Sequence, residues 1–158
     1  MSAAEHVWEG ALGERALEAW GDALGAARPL GAVLGLSGPL GAGKSTLARA
    51  IGRGAGVEVA MPSPTFNLVF SYALPGGGRL THFDLYRIAS ASEVYDLGWE
   101  ELGDAQVLAV IEWAERAGSL LPEDRWEVVL GMHPEDRGLR TLLLRRHGRP
   151  PDVALPGG

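Results

Sequence analysis

The chain of 158 residues has no cysteine. That excludes disulfides and thiolate metal sites, so neither a disulfide-stapled scaffold nor a zinc ribbon is open to it. Long apolar runs are also missing. "VLAVI" and "TLLL" fall far short of the roughly 20 residues that a membrane-spanning helix needs. In "MSAAEHVWEG" no basic stretch precedes an apolar one, so no secretory signal is read there and a cytoplasmic location is expected, with no membrane partner.

Positive charge is in short supply as well. The net charge is −6 and the pI about 5.2. A protein that holds RNA by itself normally carries a basic face. Here the basic residues are scattered, apart from "RTLLLRRHGR" near the end, so any contact with RNA is expected to run through other proteins. Of the 14 basic residues, Lys44 is the only lysine. The simplest explanation is a preference for arginine throughout the chain. A position that keeps lysine against that preference suits a compact ammonium and not a planar guanidinium.

What is present reads as one globular domain with a core, since 46% of residues are hydrophobic and 22% charged. Residues 13–27 set Leu17, Trp20 and Leu24 at helical spacing, and "RPLG" ends that helix. "AVLGLS" is a strand-length apolar run. After the loop "GPLGAG", "KSTLARAIGRG" predicts a helix closed by glycine. "MPSPTF" must be extended or turning. "NLVFSYAL", "PGGG" and "RLTHFDLYR" predict two antiparallel strands around a glycine turn. "SASEVYDLGWEELG" predicts helix and then loop, and "AQVLAVIEW" a buried strand. "RWEVVLGM" and "LRTLLLRR" predict a final hairpin around "HPEDRG". Helices interleaved with apolar strands predict a three-layer α/β fold with a mixed, partly parallel sheet and a C-terminal β-hairpin. The domain is expected to span 1–148, with a disordered tail over 149–158.

The "LTHFDLYR" segment, read as a strand, places Leu80, His82, Asp84 and Tyr86 on one face and Thr81, Phe83, Leu85 and Arg87 on the other. A histidine, a carboxylate and a phenol on one face are too polar for a core.

"GPLGAGKS" matches G-x-x-x-x-G-K-[ST] in full, follows an apolar strand and opens a helix. This is the sequence of a phosphate-binding loop, and it makes the fold expected here P-loop NTPase-like. Its glycines let backbone N–H groups aim at phosphate oxygens, and the helix start adds partial positive charge. Gly38, Leu40, Gly41, Ala42, Gly43, Lys44, Ser45 and Thr46 are its nucleotide-binding candidates. Lys44 reaches the β and γ phosphates and the Ser45 hydroxyl binds magnesium. Hydrolysis also needs an acid at the metal. Two strand ends offer one: Glu112, closing "VLAVIE", and Asp84.

In order and spacing, "GPLGAGKST", "SPTF", "HFDLYR" and "IEW" resemble the TsaE (YjeE) family of bacterial P-loop ATPases, which are required for making threonylcarbamoyladenosine on tRNA. The resemblance covers nearly the whole domain. Pro39 stands where the family often has aspartate, Ser45 replaces the usual threonine, and "EWAE" replaces the common "EWP". The resemblance implies ATP as substrate, Mg2+ as cofactor, and the TsaD and TsaB proteins as partners. It implies Asp84 as the catalytic carboxylate near the γ-phosphate. Glu112 would match the acid that helps hold magnesium, directly or through water. Thr65 would match a switch-like threonine near the γ-phosphate, Arg137 a residue at the base or ribose side, and Glu14 a further nucleotide contact. His82 is open to a structural role. Tyr86 and Arg87 either anchor their strand or face a partner, and Trp113 either packs or stacks on the base. Two rival readings share the P-loop: a small-molecule or nucleoside kinase, and a nucleotide-regulated binding module with negligible turnover. A kinase would need an arginine-bearing lid, and no such insertion is visible.

Overall fold

The computed structural model describes residues 4–59, 61 and 68–157. Among them are strands β1 (Glu5–Gly13), β2 (Val33–Ser37), β3 (Val69–Ala73), β4 (Arg79–Asp84), β5 (Val107–Glu112), β6 (Arg125–Met132) and β7 (Leu139–His147). The helices are α1 (Glu14–Ala26) and α2 (Lys44–Ala55), and short 3-10 segments follow later in the chain at Ala91–Leu97, Trp99–Glu101 and Ala114–Leu120.

The seven described strands form one sheet in the order β1-β7-β6-β2-β5-β4-β3. β2 lies parallel to both β5 and β6, and β5 is parallel to β4. β3 pairs antiparallel with β4, β7 with β6, and β1 with β7. The sheet is therefore mixed, with a parallel centre and antiparallel margins, and the C-terminal hairpin is β6–β7. Parallel central strands are covered on both faces, which is why β2 and β5 read as almost unbroken apolar runs.

Two cores flank the sheet. On one face Leu17, Trp20 and Leu24 of α1 and Leu47, Ala48 and Ile51 of α2 meet Leu34, Leu36, Leu80, Leu108 and Val110. On the other, Val94, Trp99, Ala114 and Ala117 of the 3-10 segments meet Val33, Phe83, Val107, Ala109 and Ile111. The three layers expected from the sequence are present. The third is built of 3-10 turns where "SASEVYDLGWEELG" predicts an α-helix. Ser90 and Glu93 form a reciprocal cap, and Gly98 turns the chain with φ 77° before a full helix develops.

Two further differences have physical reasons. β1 has no counterpart in the sequence reading. Its pairing with β7 slips between His6 and Trp8, and the bulge erases the two-residue alternation that marks a strand. Residues 149–157, expected as a disordered tail, instead touch the core through Pro151, Val153 and Ala154. The Trp126 indole N–H donates to the Pro151 carbonyl and the Trp20 indole N–H to the Ala154 carbonyl, both at 2.8 Å, while Val153 packs beside them. Two buried indoles need acceptors, and the tail's backbone supplies them. No helix among the described residues is long and apolar enough to cross a membrane.

Candidate functional site

The parallel strands fix where chemistry gathers. β2, β4 and β5 run the same way, so the loop after β2, Asp84 closing β4 and Glu112 closing β5 meet at one edge of the sheet. Asp84 and Glu112 are direct register partners. Ligands of parallel α/β sheets sit outside the carboxyl ends of the strands.

The polar face of "LTHFDLYR" is explained by the layer above it. Leu80 belongs to the helix-side core, and His82 and Asp84 continue its row towards the strand end. In β5 the same row runs Leu108, Val110, Glu112. Both rows are apolar beneath the body of the helices and become polar beneath the first turn of α2. The strand stops at Asp84, however. Leu85 is buried, and Tyr86 and Arg87 lie on the exposed turn that follows, so the expected alternation through residue 87 is cut short. The Tyr86 N–H turns back to donate to Asp84 Oδ1 at 3.0 Å.

The phosphate loop has the backbone its sequence demands. Gly43, at φ 106°, is the N-cap of α2, and no side chain among the described residues caps that helix start. Gly38, at φ 137°, passes so close to the Leu130 carbonyl that a Cβ would stand 2.1 Å from its oxygen. Ala42 is fully buried and anchors the loop in the helix-side core, whereas Leu40 at the tip is exposed. Lys44 Nζ donates to the carbonyls of Gly38 (2.6 Å) and Pro39 (2.7 Å) and lies 3.9 Å from the Trp113 ring centre.

Beneath the loop, Ser45 Oγ donates to Glu112 Oε1 at 2.6 Å, and His82 Nε2 meets Glu112 Oε2 at 2.5 Å. A cleft of about 270 Å³ opens above these groups, lined by Leu40, Gly41, Gly43, Lys44, Ser45, Thr46, Asp84, Tyr86, Glu112 and Trp113. A neighbouring cleft of about 210 Å³ shares Gly41, Gly43 and Thr46 with it and is walled by Glu14, Leu17, Arg137, Gly138 and Arg140. Glu14 and Arg137, remote in sequence, thus stand together beside the loop. Thr65 lies outside the described residues.

Three residues enter that sequence reading did not place. Arg140 lies on β7, and its Nε donates to the Gly41 carbonyl at 3.3 Å. Glu115 Oε2 accepts from the Gly38 N–H at 3.2 Å. Arg116 lies over the rings of Tyr86 and Trp113, which themselves pack 4.8 Å apart. "RTLLLRR" and "EWAER" show charge but nothing that aims it at a loop far away in sequence. Trp113 itself, with φ 56°, is turned so that its ring walls the cleft beside Lys44.

The two acids are driven in opposite directions. Burial pushes the Asp84 carboxyl up from its ordinary value, and the Glu112 charge adds to this; the Tyr86 N–H, His82 and Lys44 only partly offset it. Burial alone would raise Glu112 too. Its hydrogen bond and charge interaction with His82, then the Ser45 hydroxyl and Arg49, bring it below the ordinary glutamate value. Burial lowers Lys44, against the pull of Glu115, Glu112 and Asp84. Neighbouring carboxyls with opposed shifts are the arrangement in which one holds charge and the other handles a proton.

The donor set suits a hard divalent cation beside phosphates. Ser45 and Glu112 offer one hydroxyl and one carboxylate, and an open helix start faces the same space. Among the described residues no group of three or more His, Cys, Asp or Glu could hold a metal by itself. Such a cation would therefore depend on phosphate oxygens and water to complete its shell, as magnesium commonly does.

Residues 12–140 match the family model described as "Threonylcarbamoyl adenosine biosynthesis protein TsaE". The tRNA threonylcarbamoyladenosine biosynthesis protein TsaE of Treponema pallidum is 40% identical over 106 residues, covering 66% of this chain and 76% of the relative. That of Haemophilus influenzae is 33% identical over 114 residues, covering 72% of each. A solved structure, "Crystal structure of Bacillus subtilus YdiB", superposes with a TM-score of 0.70 over 94% of this chain and 90% of the other, at 24% identity, and shares the fold.

Proposed function

Because the chain belongs to the threonylcarbamoyl adenosine biosynthesis protein TsaE family, we propose that it is a magnesium-dependent ATPase whose nucleotide cycle serves threonylcarbamoyladenosine formation on tRNA. One observation carries the reading. Lys44, Ser45, Asp84 and Glu112, drawn from three elements, converge on one cleft at the carboxyl ends of parallel strands.

The triphosphate lies along the loop, its oxygens taking N–H groups of the first turn of α2. Lys44 turns its ammonium from the Gly38 and Pro39 carbonyls towards the β and γ phosphates. Magnesium, held by Ser45 and Glu112 directly or through water, would neutralise phosphate charge. Asp84, the acid with the raised pKa, orients the attacking water and accepts its proton. Glu14, Arg137 and Arg140 flank the ribose and base in the adjoining cleft.

The names of the relatives support a place in this pathway, and the acidic chain suits a protein that leaves RNA contact to others. On this reading TsaD and TsaB are the partners and the cytoplasm the setting. The test is phosphate release from magnesium–ATP by purified protein, with and without a TsaB–TsaD complex. Hydrolysis that needs both Asp84 and the complex supports the reading. Absence of nucleotide binding under every condition overturns it.

A further inference from the structure

His82 is a buried titratable side chain that this cycle does not use. Its side chain is 3% exposed and that of Glu112 2% exposed. Glu112 has two oxygens, and among the described residues each has one hydrogen-bond partner: Oε1 faces the Ser45 hydroxyl and Oε2 faces His82 Nε2. Among the described residues, the far ring nitrogen, Nδ1, is buried with no hydrogen-bond partner. A proton placed only on Nδ1 would leave a buried N–H without an acceptor. It would also set the Nε2 lone pair against a carboxylate oxygen at 2.5 Å. The arrangement closes without conflict when the proton is on Nε2 and is donated to Glu112.

We propose that His82 is a positioning residue: it clamps Oε2 of Glu112 and so presents Oε1 to Ser45 and to the cation site beside the phosphates. This rests on the nucleotide-site reading above. The register supports it. His82 sits two residues before Asp84 on the same face of β4, and Asp84 is paired with Glu112 on β5. One strand therefore carries both the acid that faces the cleft and the group that fixes its neighbour. A carboxylate held at a single oxygen can rotate about its last bond, and the clamp removes that freedom. Partners of this kind typically alter metal affinity about 10–100-fold.

Calorimetric ATP titration, with magnesium and with a chelator, tests this on three variants. Gln places an amide N–H where Nε2 stands, Asn places one near Nδ1, and Leu has the bulk but no donor. The expected result is that H82L and H82N lose about tenfold or more of the magnesium-dependent gain in affinity and keep chelator-condition affinity, while H82Q stays near wild type. H82L and H82N matching wild type, or H82Q failing as they do, overturns the positioning role. So does equal loss with and without magnesium. A wild type whose affinity ignores magnesium overturns the functional reading itself, which separates the two failures. Should a variant not fold, 15N spectra of the wild-type imidazoles decide: a proton on Nε2 of His82 is expected, and a bare Nε2 overturns the proposal.

Discussion

Ser45 Oγ and Glu112 Oε1 lie 2.6 Å apart although 67 positions separate them in the chain. Their contact joins the loop after β2 to the end of β5, and the proposed cation site is the space this pair faces. Glu112→Gln keeps the shape but replaces one charged oxygen with an amide. Magnesium-dependent ATP affinity is expected to fall by about tenfold or more, the scale of losing a charge-assisted contact, while affinity in chelator changes little. Calorimetry in both conditions checks it, and equal losses would remove Glu112 from the metal.

Lys44→Ala is expected to abolish tight triphosphate binding. Lys44 as a residue is 5% exposed, and its ammonium is held at the loop's mouth by two carbonyls and the Trp113 ring. A buried cation facing phosphates contributes about 2 kcal/mol or more through charge-assisted hydrogen bonds. Unchanged affinity on titration would mean that "GPLGAGKS" is only a turn.

Asp84→Asn separates binding from turnover. A proton acceptor acts mainly in the transition state, so turnover is expected to drop about 10²-fold or more while ATP affinity stays near wild type. The same change is expected to stabilise the nucleotide-free protein. A carboxyl whose pKa is raised by folding costs stability above that folded pKa, and the cost fades as pH falls through it. Asparagine removes the charge and keeps an oxygen for the Tyr86 N–H. A gain of about 0.5–2 kcal/mol at neutral pH, typical of relieving functional strain, is the expected result in urea unfolding. A loss of stability would contradict the burial argument.

Glu112 has the opposite sign. Its folded pKa lies below the ordinary value near 4.5, so its stabilising contribution is complete above that value. The contribution drains away as pH falls from there through the folded pKa. Acid unfolding of the wild type is expected to steepen in that window, and Glu112→Gln to flatten it. Parallel pH curves for the two proteins would show that the His82–Glu112 pair contributes nothing to acid sensitivity.

Ending the chain at residue 148 removes the acceptors of two indoles. Each N–H left unsatisfied costs about 1–3 kcal/mol, beyond the lost burial of Val153. The urea midpoint is expected to fall accordingly, and an unchanged midpoint would show that the docked tail contributes no stability.

Much of this was legible in the sequence because the relevant information is local. The phosphate loop, the apolar runs of β2 and β5 and the acids that end β4 and β5 are each contained in a few consecutive residues. Gly43 and Gly38 mark turns that other residues would strain. The remainder is non-local. Arg140 reaches Gly41 only because the hairpin β6–β7 lies beside β2, and Glu115 meets Gly38 only because a 3-10 turn folds under the loop. Glu14 and Arg137 are marked only by the family resemblance, and no spacing rule joins them. The docked tail is not legible because its prolines and glycines signal irregular backbone, and irregular backbone is not the same as absent contacts. Trp20 and Trp126 were the available clue, since buried indoles require acceptors.

Lys44 carries the only ε-amine in the 158 residues, and it stands at the cleft. Acylating reagents therefore find a single lysine target, and that target is the proposed phosphate contact. Burial shifts it towards the free amine, the nucleophilic form. Mass spectrometry of a brief acylation would then read site occupancy directly: an added acetyl or succinyl group on Lys44 counts open clefts, and nucleotide that covers the amine lowers the count. For the same reason, acylation of this one side chain would act as an all-or-none block on the nucleotide cycle, with no second lysine to blur the result.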